Sequence, residues 1–324
     1  MLFLSRDDIR DLVTLGQAVA VLQAALARYS DQTVLMPDAR RLSLRIPGNA
    51  AEAGDTFCFS KVCHLAFAGI VGFRVVVAGP DPSRSTRLVV LSEARAGTPL
   101  ALIAEHDLYQ MRVGALAAVA VRHLARRQSG LTVGLVGTGP LARVILAAVR
   151  EVVRPGRVLV ASRRPESRRT FVELAQAGDQ APVSAVDEVA DAVGPADIVV
   201  TATTASTPIL RPEWIKPGAL VYLVGAGCEA DIGVYRRAAK LVVSDWRECL
   251  AREDVARMVQ RGELSETDVH ARLHEIVQGA KRGRGDDEEV ILVRAPGTVF
   301  HDIALAHHVY RQAIEAGRGR HLDG

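Results

Sequence analysis

The sequence predicts an α/β protein in which a doubly wound parallel sheet follows a first domain of α+β character. Three observations predict it. Apolar strand-like runs alternate with helix-like runs from residue 131 to residue 245, a rhythm that a parallel sheet with crossover helices accommodates. Those strand runs lack period-two polarity, as expected where helices cover both faces of a sheet. Ahead of them, from Leu42 to Leu91, alternating or β-branched runs are broken by Gly, Pro, Asn and Asp, which marks antiparallel strands.

The first domain opens with an amphipathic helix. Between Asp7 and Tyr29 the apolar positions Ile9, Leu12, Val13, Ala20, Val21, Ala24, Ala25 and Leu26 follow near-helical spacing, with Ser5 as N-cap. The strand runs LSLRI, TFCFSKVC, GIVGFRVVVAG and TRLVVL come next. An alanine-rich pattern from Leu108 to Leu124 then reads as one long buried helix. It ends in the polar turn at 126–130, which sets the expected boundary between a domain over 1–127 and a second domain over 128–301.

In the second domain the runs are LTVGLV, a helix Leu141 to Val153, RVLVAS, helices Pro165 to Ala177 and Ala185 to Val193, then ADIVVTAT, ALVYLVG and KLVVSD. Beyond Asp245 the chain reads as helical and polar. KRGRGDDEE at 281–289 reads as a solvated loop, followed by the strand EVILVR and a last helix from Asp302 to Ala316.

Composition narrows the function. The 324 residues are 49% hydrophobic and 24% charged, and 40 Lys+Arg against 37 Asp+Glu leave a formal charge of +3, the excess scattered rather than gathered on one segment. Neither a nucleic-acid nor a membrane partner is implied. Cys58, Cys63, Cys228 and Cys249 are too spread for a disulfide framework and lack zinc-ligand spacing. His301, His307 and His308 lack companion ligands, so no metal is expected. An N-terminus without a long apolar core and the absence of a membrane-length apolar stretch lead to the expectation of a cytoplasmic protein.

Gly137-Thr138-Gly139-Pro140-Leu141-Ala142 follows an apolar strand and opens a helix, the G-x-G-x-x-A context of a Rossmann dinucleotide site. Gly137 permits the tight turn and Gly139 a close diphosphate. Ala142 allows helix-strand packing, Pro140 suits the first helical position, and the helix N-terminus offers free N–H groups. At the end of the next strand, where a carboxylate would grip the ribose of NAD, stand Ser162, Arg163 and Arg164. Arginines there suit a 2′-phosphate, so NADP(H) is the expected cofactor, with NAD(H) possible. Thr201, Ala202 and Thr203 end the fourth strand at the cofactor edge. Val224 and Gly225 end the fifth, and Gly225-Ala226-Gly227, followed by Glu229 and Asp231, reads as an active-site loop and not a second diphosphate cradle.

These residues resemble the ornithine cyclodeaminase/μ-crystallin family nearly end to end. The resemblance is carried by Pro37 with Arg40-Arg41, Gly72-Phe-Arg74-Val-Val, Gly97-Thr-Pro-Leu-Ala-Leu, Met111-Arg112-Val-Gly-Ala, Gly137-Thr-Gly139, Ala196-Asp-Ile-Val-Val-Thr-Ala-Thr, Gly218 to Gly227 and Pro296-Gly297 to Asp302-Ile-Ala. It implies a substrate and dimerisation domain completed by the C-terminal helix 302–324, a homodimer, and hydride transfer between nicotinamide and the Cα of an amino or imino acid. Arg112, and Arg41 or Arg40, match arginines that hold the substrate carboxylate.

The departures shape the reading. The family lysine falls on Arg74, which can bind a carboxylate but stays protonated. The cyclodeaminase aspartate falls on Gly227, the threonine after the carboxylate-binding arginine on Val113, and a late serine on Ala295. For the proton, His64, Glu105, His106, Tyr109 and Asp231 are candidates, with His106 and Tyr109 preferred for their place just before Arg112. The expected function is an NAD(P)H-dependent oxidoreductase on the C–N bond of a small imino or amino acid. The alternatives are an ammonia-releasing cyclodeaminase and a non-catalytic NADPH-binding protein like μ-crystallin.

Overall fold

A computed structural model describes residues 1–37, 42–47, 55–79, 81, 85–176 and 181–322. The chain divides into two compact units, Met1–Arg112 with Thr298–Gly324, and Val113–Gly297. The division falls inside the long helix and not at the turn 126–130. The reason is local: beyond Arg112 the helix packs its small residues on the second unit, where a side chain at Gly114 would meet Val144 and Ala148 at 3.0–3.2 Å.

In the first unit the expected opening helix is two helices preceded by a strand. Strand β1 (Leu2–Leu4) precedes helix α1 (Arg6–Ile9), and α2 (Leu15–Ala27) follows a break. Ser5 caps α1 through a capping box with Asp8, and Thr14 caps α2 through one with Gln17. Asp11, at φ 62°, turns the chain between them in a conformation that side chains disfavour, and helical periodicity alone does not reveal such a break.

Strands β2 (Val34–Leu35), β3 (Leu42–Ile46), β4 (Thr56–Leu65), β5 (Ile70–Ala78), β6 (Thr86–Glu93) and β7 (Pro99–Ala104) continue the unit. The sheet runs β1-β7-β6-β5-β4-β2, with β3 also paired to β4. Neighbours from β2 to β7 are antiparallel, whereas β1 lies parallel to β7. Alternation sends Ile70, Gly72, Arg74 and Val76 inward on β5. The C-terminal helix covers that face: Gly72 has no room for a Cβ because Ile303 lies 2.4–2.7 Å from its place.

Helix α3 (His106–Leu124) leads into the second unit. There the order is β8 (Thr132–Val136), α4 (Pro140–Arg150), β9 (Arg157–Ala161), α5 (Pro165–Ala175), β10 (Val183–Val186), α6 (Val189–Val193), β11 (Ile198–Thr201), β12 (Leu220–Leu223), α7 (Ile232–Arg237) and β13 (Lys240–Val243). Then come α8 (Trp246–Cys249), α9 (Glu253–Gln260), β14 (Val269–Arg272), α10 (Leu273–Val277) and β15 (Ile291–Arg294). Helix α11 (Val299–Glu315) and β16 (Arg320–His321), which pairs with β1, return to the first unit.

All neighbours in the order β10-β9-β8-β11-β12-β15-β13-β14 are parallel. The order reverses between β8 and β11, the switch point at which doubly wound sheets bind ligands beyond their carboxyl ends. Two edge strands depart from expectation. β10 and β14 are short and part-exposed, so neither carries the apolar run that identified the others. Asp197 anchors β11 at the opposite end, accepting from Thr132 N at 2.8 Å and pairing with Lys216 at 2.8 Å and with Arg126. No helix among the described residues is long and apolar enough to cross a membrane.

Candidate functional site

The glycine turn of the second unit has the geometry of an anion cradle. Gly137, at φ 114°, is closed in: a Cβ would lie 2.4 Å from the Ala202 carbonyl oxygen. Gly139 faces open space, with nothing within 4 Å of an added Cβ. It is also the N-cap of α4, with Pro140 at the start of the helix and Ala142 buried. The first-turn N–H groups, which have no partners within a helix, therefore end beside an open backbone, and a diphosphate fits there.

At the end of β9, Thr138 Oγ1 donates to Ser162 Oγ at 3.2 Å, which ties the turn to the segment expected to hold the ribose. Arg163 and Arg164 are exposed. Arg168, by contrast, is buried, bonded to the Ser162 carbonyl and paired with Asp187. It fixes the backbone beneath the two exposed arginines.

The ends of β11 and β12 meet at Glu229, in the loop after β12. Glu229 is fully buried and accepts from Thr201 Oγ1 at 2.7 Å, Thr203 N at 2.8 Å, Thr203 Oγ1 at 2.7 Å and Gly225 N at 2.7 Å. The hydroxyls of Thr201 and Thr203 are thus turned to an internal carboxylate. Thr201, Ala202 and Thr203 still end β11 at its carboxyl edge, where Ala202 N is bonded to Val136 O at 2.8 Å and Val224 N to Thr201 O at 3.0 Å. From the other side, Arg294 donates to the Leu223 and Gly225 carbonyls at 3.1 and 2.8 Å and to Asp254 at 2.7 Å. The loop after β12 is clamped at both its N–H and its C=O. Gly227 is walled in, an added Cβ falling 2.2 Å from Ala205 O.

In the first unit, β5, α3 and α11 bring charged residues together at the inner face. Arg74 donates from Nε to Glu105 Oε1 at 2.6 Å and stands 3.8 Å from Asp302 Oδ2. Arg112 donates from Nε to Asp302 Oδ1 at 2.6 Å. All four are buried. The Tyr109 ring lies beneath them, with the guanidinium carbons of Arg74 and Arg112 each 5.0 Å from its centroid and that of Arg87 at 5.6 Å.

The electrostatics follow from this packing. Burial disfavours the Arg74 charge, but Asp302 and Glu105 outweigh it and raise its pKa; for Arg112 burial is outweighed chiefly by Asp302. Both stay cationic. Burial pulls the Asp302 carboxyl upward, yet Arg112 and Arg74, with Lys61, hold it below the ordinary aspartate value. Glu105 goes the other way: burial pushes its carboxyl up more than Arg74 pulls it down. Its Oε2 is buried without a hydrogen-bond partner among the described residues.

Of the other expected residues, Arg40, Arg41 and the side chain of His106 lie outside the described residues. His64 pairs with Val71 on β5 and Leu35 on β2, so alternation turns it to the face opposite Arg74. Asp231 is the exposed N-cap of α7, accepting from Val234 N at 3.3 Å. His301 is the buried capping-box partner of Thr298 at the start of α11. Asp302, Arg87 and Glu229 were missed as site residues. Asp302 and Glu229 have partners distant in the chain, and Arg87 carried no motif of its own.

The family described as ornithine cyclodeaminase/mu-crystallin matches residues 75–317. A Delta(1)-pyrroline-2-carboxylate reductase of Bacillus cereus is 30% identical over 333 residues, covering 100% of both chains. The structure of Thermococcus litoralis Delta(1)-pyrroline-2-carboxylate reductase in complex with NADH and L-proline superposes with TM-score 0.89 at 28% identity, covering 99% of this chain and 100% of that one. An archaeal alanine dehydrogenase dimer with bound NAD gives TM-score 0.88 at 26% identity, covering 100% and 99%. With the glycine turn and the paired arginines in place, the chain belongs to the ornithine cyclodeaminase/mu-crystallin family.

Proposed function

We propose that this chain is a nicotinamide-dependent oxidoreductase that reduces the C=N bond of a small α-imino acid, or runs the reverse oxidation of the amino acid. The observation that carries this reading is the buried pair Arg74 and Arg112, set by Glu105 and Asp302 over one tyrosine ring. A guanidinium gripped at Nε has its terminal nitrogens oriented as a planar fork, the geometry that binds a carboxylate through two parallel hydrogen bonds. Fixing the carboxylate fixes the reacting carbon next to it.

The nicotinamide nucleotide supplies the hydride when bound. Gly137, Gly139 and the first turn of α4 would hold its diphosphate. Ser162, Arg163 and Arg164 favour NADP(H) over NAD(H), because two exposed cations and no carboxylate end β9. Glu105 suits the proton step: one oxygen is anchored on Arg74 while the other has no partner in the described structure, and Arg74 itself keeps its proton. Cyclisation of a diamino acid is disfavoured by Gly227, where the surrounding backbone leaves no space for a carboxylate. A homodimer is supported by the outer face of the first sheet, where Leu42 and Leu44 on β3 and Phe73 on β5 are exposed on the same face, with β4 between them.

The test is loss of reduced-nucleotide absorbance with NADPH and with NADH, over preformed cyclic imines and 2-oxo acids mixed with ammonia or methylamine. Turnover supports the reading. Tight NADPH binding with no turnover across the panel would replace it with the binding-protein alternative.

A further inference from the structure

Arg87 and Glu105 are cross-strand neighbours of opposite charge whose facing atoms stay apart. Leu88 stands opposite Ala104 in the β6–β7 register, and one step further Glu105 N donates to the Arg87 carbonyl at 3.0 Å. The two side chains therefore leave the same face of the sheet. It is the inner face, since Val89, two residues on from Arg87, stands opposite Arg74. Glu105 turns Oε1 to Arg74 Nε at 2.6 Å, while its Oε2 is buried without a hydrogen-bond partner among the described residues. The Nε of half-buried Arg87 is likewise buried without one. The Arg87 guanidinium rests on the Tyr109 ring, 5.6 Å from its centroid.

A buried donor and a buried acceptor on neighbouring residues, both unmet, are unfavourable until something satisfies them. An α-imino or α-amino acid can satisfy the two together, because its nitrogen and its carboxylate sit on one carbon. Arg87 also has an edge that the other two arginines have committed. The Nε groups of Arg74 and Arg112 are engaged by Glu105 and Asp302, whereas the Nε–H of Arg87 is unengaged and can join its neighbouring terminal N–H in a side-on bidentate bond. We infer that Arg87 binds the substrate α-carboxylate through this edge while Glu105 Oε2 meets the α-nitrogen, so that Arg87 restricts the chain to imines carrying a carboxylate beside the C=N bond. This rests on the reading that the arginine cluster receives the substrate. It adds what that reading leaves open, which way round the molecule lies and which side chain makes its carboxylate a requirement.

The experiment measures steady-state kinetics of the full chain with NADPH on preformed five- and six-membered cyclic 2-imino acids, with the corresponding saturated amino acid and its carboxamide as competitive ligands. Arg87→Met should raise KM for the imino acid by about 30-fold, with kcat changed less than about threefold and KM for NADPH less than about twofold. The wild-type chain should hold the amino acid about tenfold or more tightly than the carboxamide, and Arg87→Met should erase most of that difference. Arg87→Lys, which keeps the charge and loses the planar edge, should recover only part of it. That variant reads the inference by itself if Arg87→Met fails to fold. An unmoved KM for the imino acid, or an equal loss of amino acid and carboxamide binding, overturns the inference and leaves the oxidoreductase reading intact. No turnover of any imine by the wild-type chain removes both.

Discussion

Arg112 on α3 donates from Nε to Asp302 Oδ1 on α11 at 2.6 Å, joining positions 190 residues apart in the chain. The same carboxylate faces Arg74, 3.8 Å from its other oxygen. One aspartate on the returning helix therefore sets two arginines that belong to different elements. The ion pair that holds both guanidinium groups exists only while Asp302 is ionised.

Removing either partner should separate substrate handling from cofactor handling. Arg112→Met is expected to lower kcat/KM for the imino acid by about 100-fold or more, with the NADPH dissociation constant, read by nucleotide fluorescence, changed less than about twofold. Asp302→Asn leaves a buried guanidinium without its charge partner, and urea unfolding should show a loss of about 3–5 kcal/mol. Equal loss of NADPH affinity in Arg112→Met would contradict this division.

The two buried carboxyls predict opposite pH behaviour. Asp302 is held below the ordinary aspartate value, so its contribution to stability is complete above that value and is lost as pH falls through the lowered one. Glu105 is raised, so folding becomes less favourable as pH climbs from the ordinary glutamate value through the raised one. As a proton donor, Glu105 also predicts that imine reduction falls off on the alkaline side of its raised value. Glu105→Gln should flatten that limb of the pH–rate profile while its acid limb of unfolding, which belongs to Asp302, persists.

At the end of β9, Arg163→Asp places a carboxylate where a 2′-phosphate would sit. The ratio of kcat/KM with NADPH to that with NADH should fall by about tenfold or more, the effect of about 1.4 kcal/mol at one charged contact. An unchanged ratio would mean that the exposed arginines do not touch the nucleotide.

Glu229 is predicted to act on the nucleotide by holding backbone. Glu229→Ala leaves the Gly225 and Thr203 N–H groups and two threonine hydroxyls without their acceptor. A loss of about 2–4 kcal/mol in unfolding free energy is expected, together with a raised KM for NADPH. Glu229→Gln, which keeps an acceptor oxygen, should recover part of both.

Leu44, 61% exposed on β3, tests association. Light scattering of the wild-type chain should report a dimer, and Leu44→Glu should shift it towards monomer at micromolar concentration through a charge placed on an apolar interface.

Local physics carried much of the molecule in the amino-acid order. The Gly137-Thr138-Gly139-Pro140 turn, the strands at 132–136, 157–161 and 198–201, and the long helix expected over Leu108 to Leu124 each follow from composition and spacing within a few neighbouring residues. Tertiary structure decided what depends on partners far along the chain. It split the opening helix at Asp11, and it added the edge strands at 183–186 and 269–272, whose pairing comes from their neighbours and not from their own apolarity. It also turned Thr201 and Thr203 onto Glu229 and set Arg74 and Arg112 on Asp302. A turn needs only its own backbone, whereas a buried charge needs a counter-charge, and which residue provides it is settled only when the elements pack.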